Sequence, residues 1–133
     1  MPPLTQTELI AAARAARDNA LAPWSGVLVG AALEAADGTV WTGCNIESPT
    51  VIMTCCAERT ALFKALTEGK RHFTRIAVIS DFQHPIPPCG FCRQALLEYA
   101  PDCEVIMANL RGDVQMTTVA ALLPAAYRIE DKC

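Results

Sequence analysis

Cys56-Ala57-Glu58 and, further on, Pro88-Cys89-Gly90-Phe91-Cys92 together offer three thiolates and one carboxylate. That set suits a zinc ion with one coordination position left open, beside a group able to move protons. Structural zinc sites close their shell with four protein ligands, whereas catalytic sites use three plus water. Each segment also reads as the start of a helix. One begins near Cys56, carries Leu62, Phe63 and Leu66 on one face, and stops at Gly69. The other runs from Cys89 to Ala100 behind the rigid stretch His84 to Pro88, and Pro101 ends it.

Working outward, Thr5-Gln6-Thr7-Glu8 forms a capping box with Thr5 as N-cap, so the Ala-rich run Glu8 to Leu21 is expected to be helical, ending before Pro23. Val27 to Glu34 and Thr39 to Cys44 read as strands around the turn signal Asp37-Gly38. Asn45 to Thr54 has no clean period and reads as a loop. Arg75 to Ser80 has a buried-strand pattern, and Glu104 to Ala108 is another strand. Gly112-Asp113 turns the chain into Val114 to Thr117 through a link too short for a parallel crossover, and a last short helix covers Thr118 to Leu123. The order αββαβαββα, without repeat or linker, predicts one three-layer α/β/α domain over residues 1–133.

A chain of 133 residues, 52% hydrophobic and 19% charged, fits one compact soluble domain. No apolar run reaches the ~20 residues needed to cross a bilayer. The start, Met1-Pro2-Pro3-Leu4-Thr5, lacks a basic region followed by an apolar stretch, so a cytoplasmic location is expected. The seven cysteines then read as reduced thiols or metal ligands. A net charge of −3 argues against a nucleic-acid partner. Lys64, Lys70, Arg71 and Arg75, the nearest thing to a basic patch, read as the solvated end of a helix and its following loop. A small polar substrate fits better.

Cys89 and Cys92 are three apart at a helix start and face one way. With Cys56 at a second helix start, all three sulfurs lie at positive ends of helix dipoles, which favours thiolates. Three thiolates overcompensate a divalent zinc, and Arg59 and Arg93, each directly following a site residue, are candidates to offset this by hydrogen bonds to sulfur. Glu58 belongs to no thiolate shell. It suits a proton shuttle on the water side of the metal, or else a plain dipole partner in a first helical turn. A structural zinc would need a fourth ligand from Cys44, Cys55, Cys103 or His84. Cys-Gly-Phe-Cys also has the spacing of a thioredoxin-like redox pair, a scheme in which Pro88 and the distant Cys-Ala-Glu have no job.

Zinc nucleobase deaminases carry a Cys or His two residues before a Glu, then Pro-Cys-x-x-Cys. The chain resembles the small, tetrameric type of cytidine deaminase over nearly its whole length. The matching stretches are Val29-Gly30-Ala31-Ala32-Leu33, Gly43-Cys44-Asn45-Ile46-Glu47, Cys56-Ala57-Glu58-Arg59-Thr60-Ala61, Pro88-Cys89-Gly90-Phe91-Cys92-Arg93-Gln94 and Leu122-Leu123-Pro124. The resemblance implies a mixed five-stranded sheet, one zinc per chain on Cys56, Cys89 and Cys92, and Glu58 as general acid/base. It implies Asn45 and Glu47 on the ribose hydroxyls, the Ala57 N–H on the pyrimidine carbonyl, and hydrolysis at C4 of cytidine or deoxycytidine to a uracil product plus ammonia, in pyrimidine salvage. It further implies a homotetramer whose subunits complete one another's sites, with Tyr127 stacking on a neighbour's bound base. On their own, Asn45 and Glu47 also read as loop-capping groups and Tyr127 as a surface aromatic.

The chain departs from the family's pattern at the pocket wall. Family members read Tyr-Ser-x-Phe-x-Val-Gly where this chain has Trp24-Ser25-Gly26-Val27-Leu28-Val29-Gly30, so Val27 replaces a pocket Phe. Val51 stands where an aromatic is common, and Pro49 interrupts that segment. Ring-face contacts of about 1–3 kcal/mol per base are lost or moved. The runner-up substrate is therefore a modified cytosine nucleoside of the blasticidin S kind, or another amino-heterocycle. A non-catalytic zinc module and a polynucleotide-editing deaminase are the readings from other classes.

Overall fold

The register of the strands follows from the alternation of buried side chains. A computed structural model describes residues 3–128. Its elements are α1 (Gln6–Arg17), β1 (Val29–Ala35), β2 (Val40–Cys44), α2 (Ala57–Thr67), β3 (Phe73–Ser80), α3 (Gly90–Tyr99), β4 (Glu104–Asn109), β5 (Val114–Thr118) and α4 (Val119–Leu122). The sheet order is β2-β1-β3-β4-β5. β3 and β4 are parallel and every other pair is antiparallel, including β4 with β5 as the short link requires.

The two faces separate by the period of two. Ala32, Ala77, Ile79, Ile106 and Ala108 point at Leu9 and Ala13 of α1. Ala31, Leu33, Ile76, Val78, Val105 and Met107 point at Ala57, Ala61, Leu62, Ala65 and Leu96 on the other side. The result is the expected three-layer α/β/α arrangement with a mixed five-stranded sheet. Two glycines let helices approach the sheet backbone. A Cβ on Gly30 would lie 1.9 Å from the Ala13 carbonyl oxygen, and one on Gly43 would lie 2.5 Å from the Ala57 carbonyl oxygen and the Ala61 nitrogen.

α1 starts as expected: the Glu8 amide donates to Thr5 Oγ1 at 3.1 Å and the Thr5 amide to Glu8 Oε1 at 3.0 Å. It ends at Arg17, four residues before the expected Leu21, because Asp18 and Asn19 are poor helix formers and the chain is claimed elsewhere. The Leu21 amide donates to the Asn45 carbonyl at 3.0 Å, and the Glu47 amide to the Leu21 carbonyl at 2.8 Å. β1 begins at Val29, since the Asn45 side chain takes the Val27 carbonyl and the Val29 amide in place of a strand partner. Val51–Met53 forms one 3₁₀ turn inside the segment read as loop. No helix among the described residues is long and apolar enough to cross a membrane.

β2 and β3 both run antiparallel to β1, so they point the same way. α2 follows β2 and α3 follows β3, which brings both helix N-termini to one edge of the sheet, outside the carboxyl ends of parallel strands. Open α/β sheets place their ligands at such an edge.

Candidate active site

Cys56 and Cys89 occupy the N-cap positions of α2 and α3, and neither side chain caps its own helix. The first turns close through Thr60 N–H to the Cys56 carbonyl at 3.0 Å and Arg93 N–H to the Cys89 carbonyl at 2.9 Å. The amides before Thr60 and Arg93 have no partner inside their helices, and their partial positive charge faces the sulfurs. Cys92, in the first turn of α3, is fully buried. The Sγ atoms of Cys56, Cys89 and Cys92 all lie within 4.8 Å of one another, with Cys56 and Cys89 at 3.4 Å.

Zinc–thiolate bonds of about 2.3 Å in a tetrahedron place sulfurs about 3.8 Å apart, so the three thiols fit that ion. Among the described residues no other group of three or more His, Cys, Asp or Glu side chains gathers this closely, and no fourth ligand joins the three. His84 stays outside the cluster. Cys55 faces a different groove, beside Trp41, Phe63 and Lys64. Cys103 is buried and burial pushes its thiol up to about 12, the behaviour of a small apolar residue. Cys44 is half-buried and its thiol is also raised by burial.

Protons are unevenly shared within the cluster. The hydrogen bond from Cys92 draws the Cys56 thiol down to about 5, helped by Arg59 and Cys89 and opposed by burial. The same hydrogen bond, with burial, pushes Cys92 up. Arg59 Nη2 reaches Cys56 Sγ at 3.6 Å, as expected for a cation offsetting the thiolates. Arg93 does not. Its Nε donates to the Pro88 carbonyl at 2.7 Å and its Nη1 to the Leu122 carbonyl at 3.0 Å, tying the entry of α3 to α4. The guanidinium of Arg59 lies under the exposed ring of Phe91, 5.6 Å from its centroid.

Glu58 is in the first turn of α2 and only 4% exposed. Burial raises its carboxyl to about 7, and the charge of Cys56 adds to the effect. Plain pairing with a helix dipole would not require a buried acid, so this carboxyl sits where it can take up and release a proton near neutrality.

Glu58 opens onto a cleft of about 290 Å³ lined by Cys56, Ala57, Cys89, Asn45 and Glu47, with Val27, Val29, Val78, Ile86 and Pro87 as its apolar wall. Among the described residues no aromatic lines it. Trp24 and Val51 line a neighbouring groove, and Phe91 faces Arg59. Asn45 is buried, its Oδ1 accepting from the Val29 amide at 2.8 Å and its Nδ2 donating to the Val27 carbonyl at 2.7 Å. One Nδ2 hydrogen remains for a ligand. Glu47 accepts from Trp24 and Ser25, so both residues hold the loop as well as lining the cleft. Tyr127 is 68% exposed and lies outside the cleft of its own chain. Sequence reading assigns no site role to Ser25, Thr54, Ile86 or Pro87. The match of Ser25 to the family's Tyr-Ser-x-Phe stretch and the nearness of Pro87 to Cys89 are the signals that point toward any of them.

The four cations of the expected basic patch are engaged within the chain. Lys64 donates to the Thr42 carbonyl, Lys70 pairs with Asp37 at 2.6 Å, Arg71 donates to the Leu66 and Lys70 carbonyls, and Arg75 pairs with Glu34.

A zinc ion with one open side and a proton carrier next to it is the equipment of a zinc-dependent hydrolase. Known proteins narrow that class. Residues 4–108 match the family described as the cytidine and deoxycytidylate deaminase zinc-binding region, and the chain belongs to it. A cytidine deaminase of Halalkalibacterium halodurans is 51% identical over 92% of this chain and 94% of its own. The 1.6 Å crystal structure of a cytidine deaminase from Burkholderia pseudomallei superposes with a TM-score of 0.91 at 48% identity, over 93% of this chain and all of that one. A blasticidin-S deaminase of Bacillus cereus is 32% identical over 74% of this chain and 76% of its own, a weaker likeness.

Proposed function

We propose that this chain hydrolyses cytidine and deoxycytidine to uridine and deoxyuridine plus ammonia. The observation that carries the reading is one cleft that joins the Cys56 and Cys89 thiols, the buried Glu58, the Ala57 backbone and the Asn45–Glu47 pair. Cys56, Cys89 and Cys92 would hold one zinc per chain. When bound, zinc supplies the Lewis acidity that makes water nucleophilic at neutral pH.

This chain's own groups do the rest. The Ala57 N–H, free of any helix partner, binds the pyrimidine carbonyl and sets the ring across the site. Asn45 donates to a sugar hydroxyl through its remaining Nδ2 hydrogen, and Glu47 accepts from one. Glu58 takes one proton from the attacking water and delivers it to the ring nitrogen beside C4. It then takes the second proton, from the hydroxyl now on C4, and passes it to the departing amino group as ammonia leaves. Arg59 stands behind Cys56 and offsets thiolate charge.

Among the described residues no Lys or Arg lines the cleft, and Glu47 is at its sugar end, which supports a nucleoside over a phosphorylated substrate. The likeness to a blasticidin-S deaminase is the lesser one, so the modified-nucleoside reading stays second, supported by the absence of aromatic wall residues. The assembly is a homotetramer with shared sites. Exposed Val51, Ile52 and Met53 beside the cleft support it, and Tyr127 is the ring offered to a neighbour. A single domain over residues 1–133, a cytoplasmic location and a role in pyrimidine salvage complete the reading.

The test is conversion of cytidine to uridine by the zinc-loaded protein, followed by ultraviolet absorbance with Glu58→Ala as control, alongside sedimentation for the oligomer. Turnover that survives in Glu58→Ala sinks the mechanism. No turnover with one zinc bound per chain sends the search to modified cytosines.

A further inference from the structure

Glu47 does not stand alone at the end of the cleft. Its Oε1 accepts from the Trp24 amide at 3.1 Å and the Ser25 amide at 3.0 Å, and its Oε2 accepts from Ser25 Oγ. The same hydroxyl oxygen accepts from the Val27 amide at 3.0 Å. Ser25 therefore spends its one proton on the carboxylate and a lone pair on the wall residue Val27. The turn that permits this passes through Gly26, whose φ of +70° is left-handed, with nothing within 4 Å of where a Cβ would be.

The loop is anchored below this point without Ser25. Leu21 bonds to the Asn45 and Glu47 backbones, and the Asn45 side chain holds Val27 and Val29. Removing the Ser25 hydroxyl leaves those anchors in place and takes away the one donor that fixes Oε2. Only the two amides on Oε1 then restrain the carboxylate about its last torsion, which is broad and roughly two-fold, so Oε2 is held less firmly. Among the described residues no Lys or Arg lines the cleft to hold it instead.

We propose that Ser25 is a positioning residue that aims Glu47 at the sugar hydroxyl, so that the 22–28 loop sets discrimination between sugars. This rests on the reading of Glu47 as a sugar ligand. It adds a residue whose effect falls on sugar recognition and leaves the proton transfers alone.

Steady-state kinetics of the zinc-loaded wild type, Ser25→Ala, Ser25→Thr, Glu47→Gln and the Ser25→Ala/Glu47→Gln double variant test it, with cytidine and 2′,3′-dideoxycytidine. Ser25→Ala is expected to raise KM for cytidine about tenfold, the effect of one hydrogen bond to a charged group, with kcat within about threefold. Kinetics with the dideoxynucleoside stay unchanged, Ser25→Thr restores the cytidine KM, and the double variant is no worse than Glu47→Gln. Equal losses with both sugars, or full additivity with Glu47→Gln, overturns the proposal and leaves the deaminase reading intact. A wild type that handles the two sugars alike removes Glu47 as a sugar ligand and the proposal with it. A wild type that deaminates neither nucleoside overturns the function itself.

Discussion

The cleft has two halves held by different physics. Its metal half is built on the first turns of α2 and α3, where Ala57, Glu58 and Cys92 are buried and Ala61, Leu62 and Leu96 pack behind them. Its wall half is built on the 22–28 and 46–55 segments, where Trp24, Val51, Ile52 and Met53 are exposed and position depends on the hydrogen bonds of Ser25, Asn45, Glu47 and Thr54. Packing against a sheet fixes a helix end firmly, because interiors are close-packed and change volume reluctantly. Loop walls held by a few polar contacts can change residue without disturbing the chemistry. The departures from the family's pattern, Val27 and Val51, both fall in the wall half.

That division predicts the largest effects at the metal half. Cys56→Ser is expected to lose zinc and to reduce cytidine turnover below detection, as metal analysis and the absorbance assay will show. Stripping the wild type with a chelator does the same reversibly, with activity returning on zinc addition. Glu58→Gln comes next. It should lower kcat by about 10²–10⁴-fold, the usual contribution of a general acid/base, while one zinc per chain remains. A Glu58→Gln protein that keeps its rate would reduce the buried carboxyl to a dipole partner and break the comparison at its stronger end.

Legibility followed the same line. The metal half was readable because its signals are local: cysteines at helix starts, a Pro before the second, a Glu two residues after the first. The capping box of Thr5 and the hairpin at Asp37-Gly38 were readable for the same reason. Arg59 and Arg93 looked equivalent in sequence, each following a site residue. Arg59 lies three residues after Cys56 and shares its helix face, whereas Arg93 is turned by the short α4 toward the Leu122 carbonyl. The early end of α1 was hidden because the contact that claims Leu21 comes from Asn45 and Glu47, far along the chain. Ser25 was invisible as a partner of Glu47 for that reason too.

Smaller effects belong to the wall. Val27→Phe places a ring in an apolar wall that is otherwise aliphatic, and stacking worth about 1–3 kcal/mol per base should lower KM for cytidine about tenfold. The rate constant kcat should stay within about threefold. An unchanged KM would mean that the bound base takes its ring contact from elsewhere, and Tyr127→Ala then becomes the variant to compare.

The smallest effect on catalysis, and the sharpest control, lies at the far end of β1. Glu34 is five residues from Val29, about 16 Å along a strand. Arg75 holds its carboxylate through Nε at 2.8 Å and Nη2 at 2.6 Å, and Thr74 Oγ1 donates at 2.7 Å. Arg75 is the main reason that the Glu34 carboxyl is lowered below its ordinary 4.5. A carboxyl lowered on folding contributes stability above its unfolded pKa, and that contribution fades as pH falls through the lower folded value. Glu34→Gln should therefore cost about 1.5–3 kcal/mol in urea unfolding at neutral pH. The gap to wild type should close as the pH drops below 4.5, from the ordinary value downward. At neutral pH kcat and KM should stay within about twofold. A Glu34→Gln variant that shifts KM would show that the wall senses strain carried along β1, and the two halves would no longer be separable from the scaffold beneath them.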